Sequence, residues 1–204
     1  RPSVVVGPST TAAQAQFNPA KRMNTSSPGP RIDSGQAESA PTDGHSETAA
    51  RAGVGLTAQS PAASRVRTSF VVMPEDTNTL GTLFGGALVS HIDRTAAIVA
   101  VKHCRKPVVT ASIDRLDFVA AARQGTFVHL LAEVTFVARS SMELRVTAEA
   151  EEPLTGATWR ICDALLTFVA VEAGPNGPQP SPVPPLELHT ETERADFAAG
   201  QARY

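Results

Sequence analysis

An aspartate inside an apolar helical stretch is the residue of this sequence whose chemistry is hardest to explain structurally. The residues three and four positions before and after Asp93 are a valine, a serine and two alanines, so no cation on the same helix neutralises the carboxylate. Such a carboxylate pairs with a distant group, reaches solvent or faces a ligand, where it can serve as a general base. The pattern alone leaves a structural and a catalytic role open.

Two further features lie shortly before this aspartate. Gly85 and Gly86 stand at the predicted start of the helix, where bare backbone lets a ligand approach and the free amides suit a developing oxyanion. Asn78 lies in the loop 75–81 and could orient a water or a carbonyl. Each feature also has a purely structural interpretation, a tight turn for the glycines and a satisfied turn for the asparagine.

The elements that must position these residues follow from periodicity and breakers. A helix runs from about Gly85 to Cys104 and stops before Pro107. Five β segments are predicted at 66–72, 108–118, 126–138, 141–151 and 158–171. The short connections between the last four indicate antiparallel pairing, because a parallel crossover needs a dozen or more residues. The order is β-α-β-β-β-β, an α+β fold.

Exposed apolar surface predicts self-association. The segment 158–171 is apolar on both faces, and one helix can cover only one of them. The helix itself has almost no polar face, so we expect the sheet to wrap around it.

Composition divides the chain into three parts. Residues 1–65 and 174–204 carry seven and six of the 16 prolines, while apolar residues concentrate in 66–173. We therefore expect a disordered low-complexity tail over 1–65, one domain over 66–173, and a Pro-rich linker with a weak helix over 174–204.

Charge and composition also exclude several classes of protein. The net charge of −2 gives no reason to expect nucleic acid or an anionic membrane as a partner, and no apolar run is long enough to span a membrane. The two cysteines and the scattered histidines lack metal-ligand spacing, so we expect no metal site and no disulfide scaffold. A reducing, cytoplasmic location fits best.

Five motifs follow one another along the predicted domain, at 73–86 (MPEDTNTLGTLFGG), 91–93 (HID), 108–114 (VVTASID), 117–118 (DF) and 139–143 (RSSME). Together they resemble the hot-dog-fold acyl-CoA thioesterases of the cytosolic, brain-type acyl-CoA hydrolase group. The resemblance covers about residues 66–172 and leaves both tails out. It implies a five-stranded antiparallel sheet wrapped around one long helix, in agreement with the predicted order of elements.

The resemblance also implies hydrolysis of acyl-CoA to a free carboxylic acid and CoA, at sites shared by two protomers. The family's catalytic asparagine and aspartate fall on Asn78 and Asp93, contributed by opposite protomers of a dimer. The backbone N–H of Gly86, next to Gly85, is expected to polarise the thioester carbonyl.

Substrate-binding roles are implied for four more residues. Thr110 is expected to line the thioester or pantetheine path, and Arg139, Ser140 and Ser141 to lie near CoA, with Arg139 on a phosphate. No cofactor is implied, because CoA is part of the substrate and the product. Similar enzymes suggest a trimer of dimers.

Two positions depart from the family pattern. Arg94 follows Asp93 where relatives usually carry an acidic residue, and Thr79 follows Asn78 where many carry histidine. Two other functions stay open, a non-catalytic acyl-CoA-binding protein and a hot-dog dehydratase or hydratase. The second normally needs a catalytic histidine with its carboxylate, and neither His91 nor His103 stands in such a motif.

Overall fold

The computed structural model describes residues 56–204, and residues 1–55 lie outside this range. Five antiparallel strands form one sheet in the order β1-β3-β4-β5-β2. Their bounds are Val66–Val71 (β1), Val108–Phe118 (β2), Phe127–Val137 (β3), Ser141–Glu151 (β4) and Thr158–Gly174 (β5). The predicted α+β class and the β-α-β-β-β-β order are confirmed. In this order β1 and β2 form the two edges of the sheet.

The long helix α2, Gly85–Cys104, packs against one face of the sheet. Ile92, Ala96 and Val99 follow the helical repeat and are fully buried. Alternate residues of β3 and β4 are buried in the same core, because successive side chains of a strand point to opposite faces; they are Val128, Leu130, Ala132, Leu144, Val146 and Ala148. The helix ends at Cys104, and the C-cap residue Arg105, two residues before Pro107, takes a left-handed conformation with φ of 54°.

Part of the apolar surface of α2 stays uncovered. Ile98 and Val101 are 47% and 42% exposed, and Val109 and Ile113 on the edge strand β2 are 39% and 42% exposed. The expected wrapping of the helix by the sheet is therefore incomplete within one chain. These four exposed aliphatic side chains lie on the helix and on the edge strand. Such exposed apolar surface is typical of a surface that another copy of the protein covers.

The two tails carry more structure within residues 56–204 than the sequence predicts. A short helix, α1 (Pro61–Ser64), falls in the segment expected to be disordered, and the backbones of Gln59 and Glu187 pair. Strand β6 (Gly177–Pro180) forms a hairpin with β5 inside the expected linker. The rest of the segment predicted to be disordered, residues 1–55, lies outside the described residues.

The C-terminal helix α3, Glu191–Arg203, is anchored on the outer face of the sheet, opposite α2. Thr190 caps it by accepting a hydrogen bond from the backbone N–H of Glu193, and the Glu193 side chain accepts one from Thr190 in return. Arg145 of β4 donates two hydrogen bonds of 2.7 Å to Asp196. The sequence predicts this helix only weakly, because what fixes it is a set of contacts with distant strands.

Candidate active site

Asp93 lies on α2, and its carboxylate has a partner from the neighbouring edge strand. Thr110 of β2 donates a hydrogen bond of 2.8 Å from Oγ1 to Oδ1 of Asp93. Asp93 is partly exposed and Thr110 is exposed within the single chain. The structure therefore brings together two of the predicted site residues, and Thr110 orients the carboxylate, whose second oxygen has no hydrogen-bond partner within residues 56–204.

Asn78 lies in the loop before the helix, and its side chain organises that loop. Its Oδ1 accepts hydrogen bonds from the backbone N–H groups of Leu80 and Thr82, at 2.9 and 3.3 Å. Its Nδ2 donates to Oγ1 of Thr82 at 2.9 Å. Gly81 takes the left-handed conformation, with φ of +71°, that completes this turn. The Asn78 side chain therefore provides the hydrogen bonds that stabilise its own turn. Among residues 56–204 its second Nδ2 hydrogen has no hydrogen-bond partner.

The helix begins with uncapped amides, as the glycine pair predicts. The N-cap residue is Phe84, and no side chain caps the helix there. A Cβ at position 86 would lie 2.5 Å from the Phe84 ring, and a Cβ at position 85 would lie 3.3 Å from the Phe118 ring. Both glycines therefore allow aromatic rings to pack against the helix start. The first-turn amides are positioned to donate to a ligand oxygen.

Within residues 56–204, Thr110 is the only predicted site residue that forms a hydrogen bond with Asp93. No hydrogen bond joins Asn78 to Asp93 among the described residues. Residues that pair across neighbouring strands lie on the same face of the sheet. Thr110 pairs with Phe168, and Phe168 pairs with Met142, which is buried, so Thr110 lies on the same face as the core. Ser141 precedes Met142 and therefore points to the opposite, outer face.

The turn that precedes β4 is held by its backbone. The carbonyl of Arg139 accepts from the N–H of Val183 at 3.0 Å, and the carbonyl of Ser140 accepts from Ala170 at 2.9 Å. The Arg139 side chain is exposed. This arrangement leaves the guanidinium available to a ligand or to a neighbouring protomer.

His91 contributes a feature that sequence reasoning missed. Its ring stacks on Phe70 of β1 with centroids 3.8 Å apart and planes 7° from parallel. Burial lowers the pKa of His91 against the opposing effect of the Asp76 charge. The ring is therefore neutral at pH 7 and packs the helix against β1 two residues before the aspartate. A histidine two residues from Asp93 carries no sequence signal that distinguishes this packing role.

The two cysteines do not provide a nucleophile. Cys104 and Cys162 are buried and unpaired. Burial raises the pKa of both thiols, that of Cys162 to about 11, so both stay protonated at neutral pH. Within residues 56–204 no three His, Cys, Asp or Glu side chains converge as metal ligands. No helix in that range combines the length and apolarity needed to cross a bilayer.

Comparison with known proteins assigns the chain to a family. The family model of the thioesterase superfamily matches residues 80–157. An uncharacterized acyl-CoA thioester hydrolase of Bacillus subtilis is 44% identical over 130 residues, which are 64% of this chain and 74% of that protein. The chain belongs to the thioesterase superfamily. It spans 35% of the length of its mouse, rat and human relatives, each a cytosolic acyl coenzyme A thioester hydrolase.

Solved structures of superfamily members share the fold. A hexameric acyl-CoA thioesterase is 39% identical with a TM-score of 0.68, and the match covers 72% of this chain and 93% of that one. An acyl-CoA hydrolase of Staphylococcus aureus, solved with butyryl-CoA, CoA and CoA disulfide, is 32% identical with a TM-score of 0.64, over 71% and 87% of the two chains.

Three variants of the S. aureus hydrolase bear on the site. In separate structures an asparagine, an aspartate and a threonine of that protein are each replaced by alanine. In chain order these three positions stand 15 and then 17 residues apart. The same residue types stand at the same spacings in this chain, at Asn78, Asp93 and Thr110.

Proposed function

We propose that this member of the thioesterase superfamily hydrolyses acyl-CoA to a carboxylate and CoA, with Asp93 as the group that drives the chemistry. The observation that carries the proposal is the pair of Asp93 and Thr110, a partly exposed carboxylate fixed by one 2.8 Å hydrogen bond. The matching order and spacing of asparagine, aspartate and threonine in the S. aureus hydrolase support it.

Each residue of the site supplies one part of thioester hydrolysis. Asp93 takes a proton from a water molecule, which attacks the thioester carbon. The free Nδ2 hydrogen of Asn78 positions that water or the carbonyl. The first-turn amides near Gly86 donate to the oxyanion, where preorganised donors stabilise the developing charge. The thiolate of CoA then leaves. This route uses no metal and no cofactor, because CoA belongs to the substrate.

A second route uses Asp93 as a nucleophile. Its carboxylate attacks the thioester carbon, CoA leaves, and water hydrolyses the resulting anhydride. Single-turnover hydrolysis in oxygen-18 water distinguishes the routes by mass spectrometry of the protein. Label in the Asp93 carboxylate supports the anhydride, because water that attacks the aspartyl carbon leaves oxygen-18 on the protein. Label confined to the product acid, with no acyl-enzyme mass at any time during the turnover, supports direct attack by water.

The complete site requires two chains. Within residues 56–204 no hydrogen bond joins Asn78 to Asp93, and the exposed apolar strips of α2 and β2 offer a surface for a second copy. The hexameric relative supports further association into a trimer of dimers. Light scattering should therefore show an oligomer at assay concentrations, and an active monomer would contradict the shared site.

The CoA end of the substrate is assigned to the turn before β4. Ser141 points to the outer face and Arg139 is exposed, so these residues, with Ser140, serve an active site whose aspartate belongs to another protomer. A planar guanidinium suits a phosphate oxygen pair. Arg139→Gln should therefore raise KM for acyl-CoA and leave kcat nearly unchanged. A fall in kcat at constant KM would contradict this assignment.

We also propose a cytoplasmic location and a short-chain acyl-CoA as substrate. The location is supported by the free thiols and by the cytosolic relatives. The short acyl group is supported by the butyryl-CoA complex of the S. aureus hydrolase. Thiol release measured over a panel of acyl-CoA chain lengths tests the substrate directly.

A further inference from the structure

A serine, a histidine and a glutamate meet on the outer face of the sheet, away from Asp93. Ser69 of β1 and His129 of β3 are directly paired residues. Both neighbours of Ser69 face the helix: Thr68 contacts Thr95 by a hydrogen bond, and Phe70 stacks on His91. Because side chains alternate along a strand, Ser69 points to the face opposite α2.

The three side chains are connected by two short hydrogen bonds. Oγ of Ser69 lies 2.6 Å from Nδ1 of His129, and Nε2 of His129 lies 2.8 Å from Oε2 of Glu151. A carboxylate only accepts, so Nε2 carries the hydrogen that Glu151 receives. In the neutral ring Nδ1 is then the acceptor for the Ser69 hydroxyl. The His129 side chain is 17% exposed and that of Glu151 is 32% exposed, while Ser69 is accessible to a ligand.

This order of groups is the one that activates a serine nucleophile. A base within hydrogen-bond reach of the hydroxyl, itself oriented by a third group, is the general signature of covalent catalysis. His129 can take the hydroxyl proton during attack, and Glu151 stabilises the imidazolium that forms. A histidine placed only for packing would not need both ring nitrogens engaged by such partners.

The surroundings supply two more requirements. A depression of about 90 Å³ is lined by His129 together with Arg67, Leu131, Thr147 and Glu149, and it lies next to the histidine, although Ser69 does not line it. In addition, β1 is an edge strand, paired only with β3 in the part of the chain that the structure describes. Every second backbone N–H of such an edge points away from the sheet, so an unpaired amide lies within one residue of Ser69. That amide can donate to an oxyanion.

We propose that Ser69, His129 and Glu151 form a second, nucleophilic site that accepts a short acyl group from an activated oxygen ester or thioester. Oγ of Ser69 forms a bond to the acyl carbon, the hydroxyl proton passes to Nδ1 of His129, and the phenolate or thiolate leaves with the electron pair of the broken bond. The imidazolium then returns its proton to the leaving group or to solvent. The product is an acyl-serine on the outer face of the sheet.

The experiment uses the full chain carrying Asp93→Asn, so that the proposed hydrolytic site does not consume the probe. The protein is incubated with p-nitrophenyl acetate, and acetylated residues are located by intact-mass and peptide mass spectrometry. Ser112 serves as the internal control, since its hydroxyl donates to Asp114 at 2.7 Å. His129→Gln and Glu151→Gln are made in the same background.

We expect acetylation of Ser69 and none of Ser112. His129→Gln should reduce the acetylation of Ser69 ten-fold or more, because general-base catalysis contributes roughly 10²–10⁴ in rate. Glu151→Gln should reduce it less. No acetyl group on Ser69, or a rate that His129→Gln leaves unchanged, would overturn the proposal. In the otherwise unchanged chain, Ser69→Ala should hydrolyse acyl-CoA normally, which separates this site from the one at Asp93.

Discussion

The hydrogen bond from Thr110 to Asp93 allows the proposed chemistry to be tested by substitution of a single residue. Thr110→Val keeps the size and branching of the side chain and removes the hydroxyl, so Oδ1 of Asp93 loses the 2.8 Å bond that orients it. Thr110→Ser keeps the hydroxyl and removes only a methyl group. The two variants therefore differ chiefly in the presence of that one donor.

The expected magnitude follows from the exposure of the pair. A hydrogen bond to an ionised group contributes about 1.5–3 kcal/mol. Asp93 is partly exposed, so water can replace part of the lost interaction and the lower end applies. A loss of about 1.4 kcal/mol in transition-state stabilisation corresponds to a roughly ten-fold fall in kcat. Thr110→Ser should stay within about three-fold of the unchanged protein, on the same scale.

The assay is thiol release from butyryl-CoA, with kcat and KM determined separately for both variants. Because the hydroxyl acts on the carboxylate, the effect of Thr110→Val should fall mainly on kcat. Thermal unfolding of both variants verifies that the fold is intact. Full activity in Thr110→Val, or an equal loss in Thr110→Val and Thr110→Ser, would refute the role of the hydroxyl.

Two further predictions concern stability. Arg203 donates two hydrogen bonds to Glu143, which is 7% exposed. Arg203→Met should therefore lower the free energy of unfolding by about 1–2 kcal/mol. This value is below that of a fully buried ion pair, because the Arg203 side chain is 45% exposed and solvent screens the pair. In urea unfolding the exposed control Arg194→Met should change it by less than about 0.5 kcal/mol, and equal losses would contradict the anchoring of α3. His103 is buried, and its Nε2 donates a hydrogen bond of 2.9 Å to the carbonyl of Pro184. Burial lowers the pKa of His103 in the folded protein, so the unfolded chain binds a proton more readily. The free energy of unfolding is therefore greatest above the ordinary pKa of 6.5 and falls as the pH drops below it. Between pH 7.5 and 5.5 this slope reaches at most about 1.4 kcal/mol per pH unit, and His103→Gln should reduce it; an unchanged slope would argue against the histidine.

The sequence predicted the fold well because the signals of the domain are local. The alternation along β4 specifies a strand and its buried face without reference to distant residues, and the apolar stretch of α2 specifies a helix but not which of its faces is buried. The helix limits also follow from local signals, glycines at the start and Pro107 beyond the end. These elements then have few ways to pack.

Long-range contacts set the limit of prediction. The sequence of the C-terminal helix α3 gives only a weak helix prediction. Its position depends on hydrogen bonds to Arg145 and Glu143, which lie about 50 and 60 residues away in the chain. The pairing of Ser69 with His129 likewise depends on strand register, which spacing along the chain does not reveal.

The candidate site was predictable only in part. Asp93, Asn78 and the glycine pair stand out by residue type, but periodicity left a structural role for each of them open. The bond between Thr110 and Asp93 joins two elements 17 residues apart and emerges only from the fold. The lack of a hydrogen bond between Asn78 and Asp93 within residues 56–204 is likewise not predictable from the sequence, and together with the exposed apolar strips of α2 and β2 it favours a shared site.

The central claim is that Asp93 drives acyl-CoA hydrolysis, and the most direct test is thiol release from butyryl-CoA by the unchanged chain and by Asp93→Asn. The substitution keeps the size of the side chain and removes the base. We expect kcat to fall by roughly 10²-fold or more, with folding and oligomeric state retained. Turnover by Asp93→Asn at the rate of the unchanged chain would contradict the account.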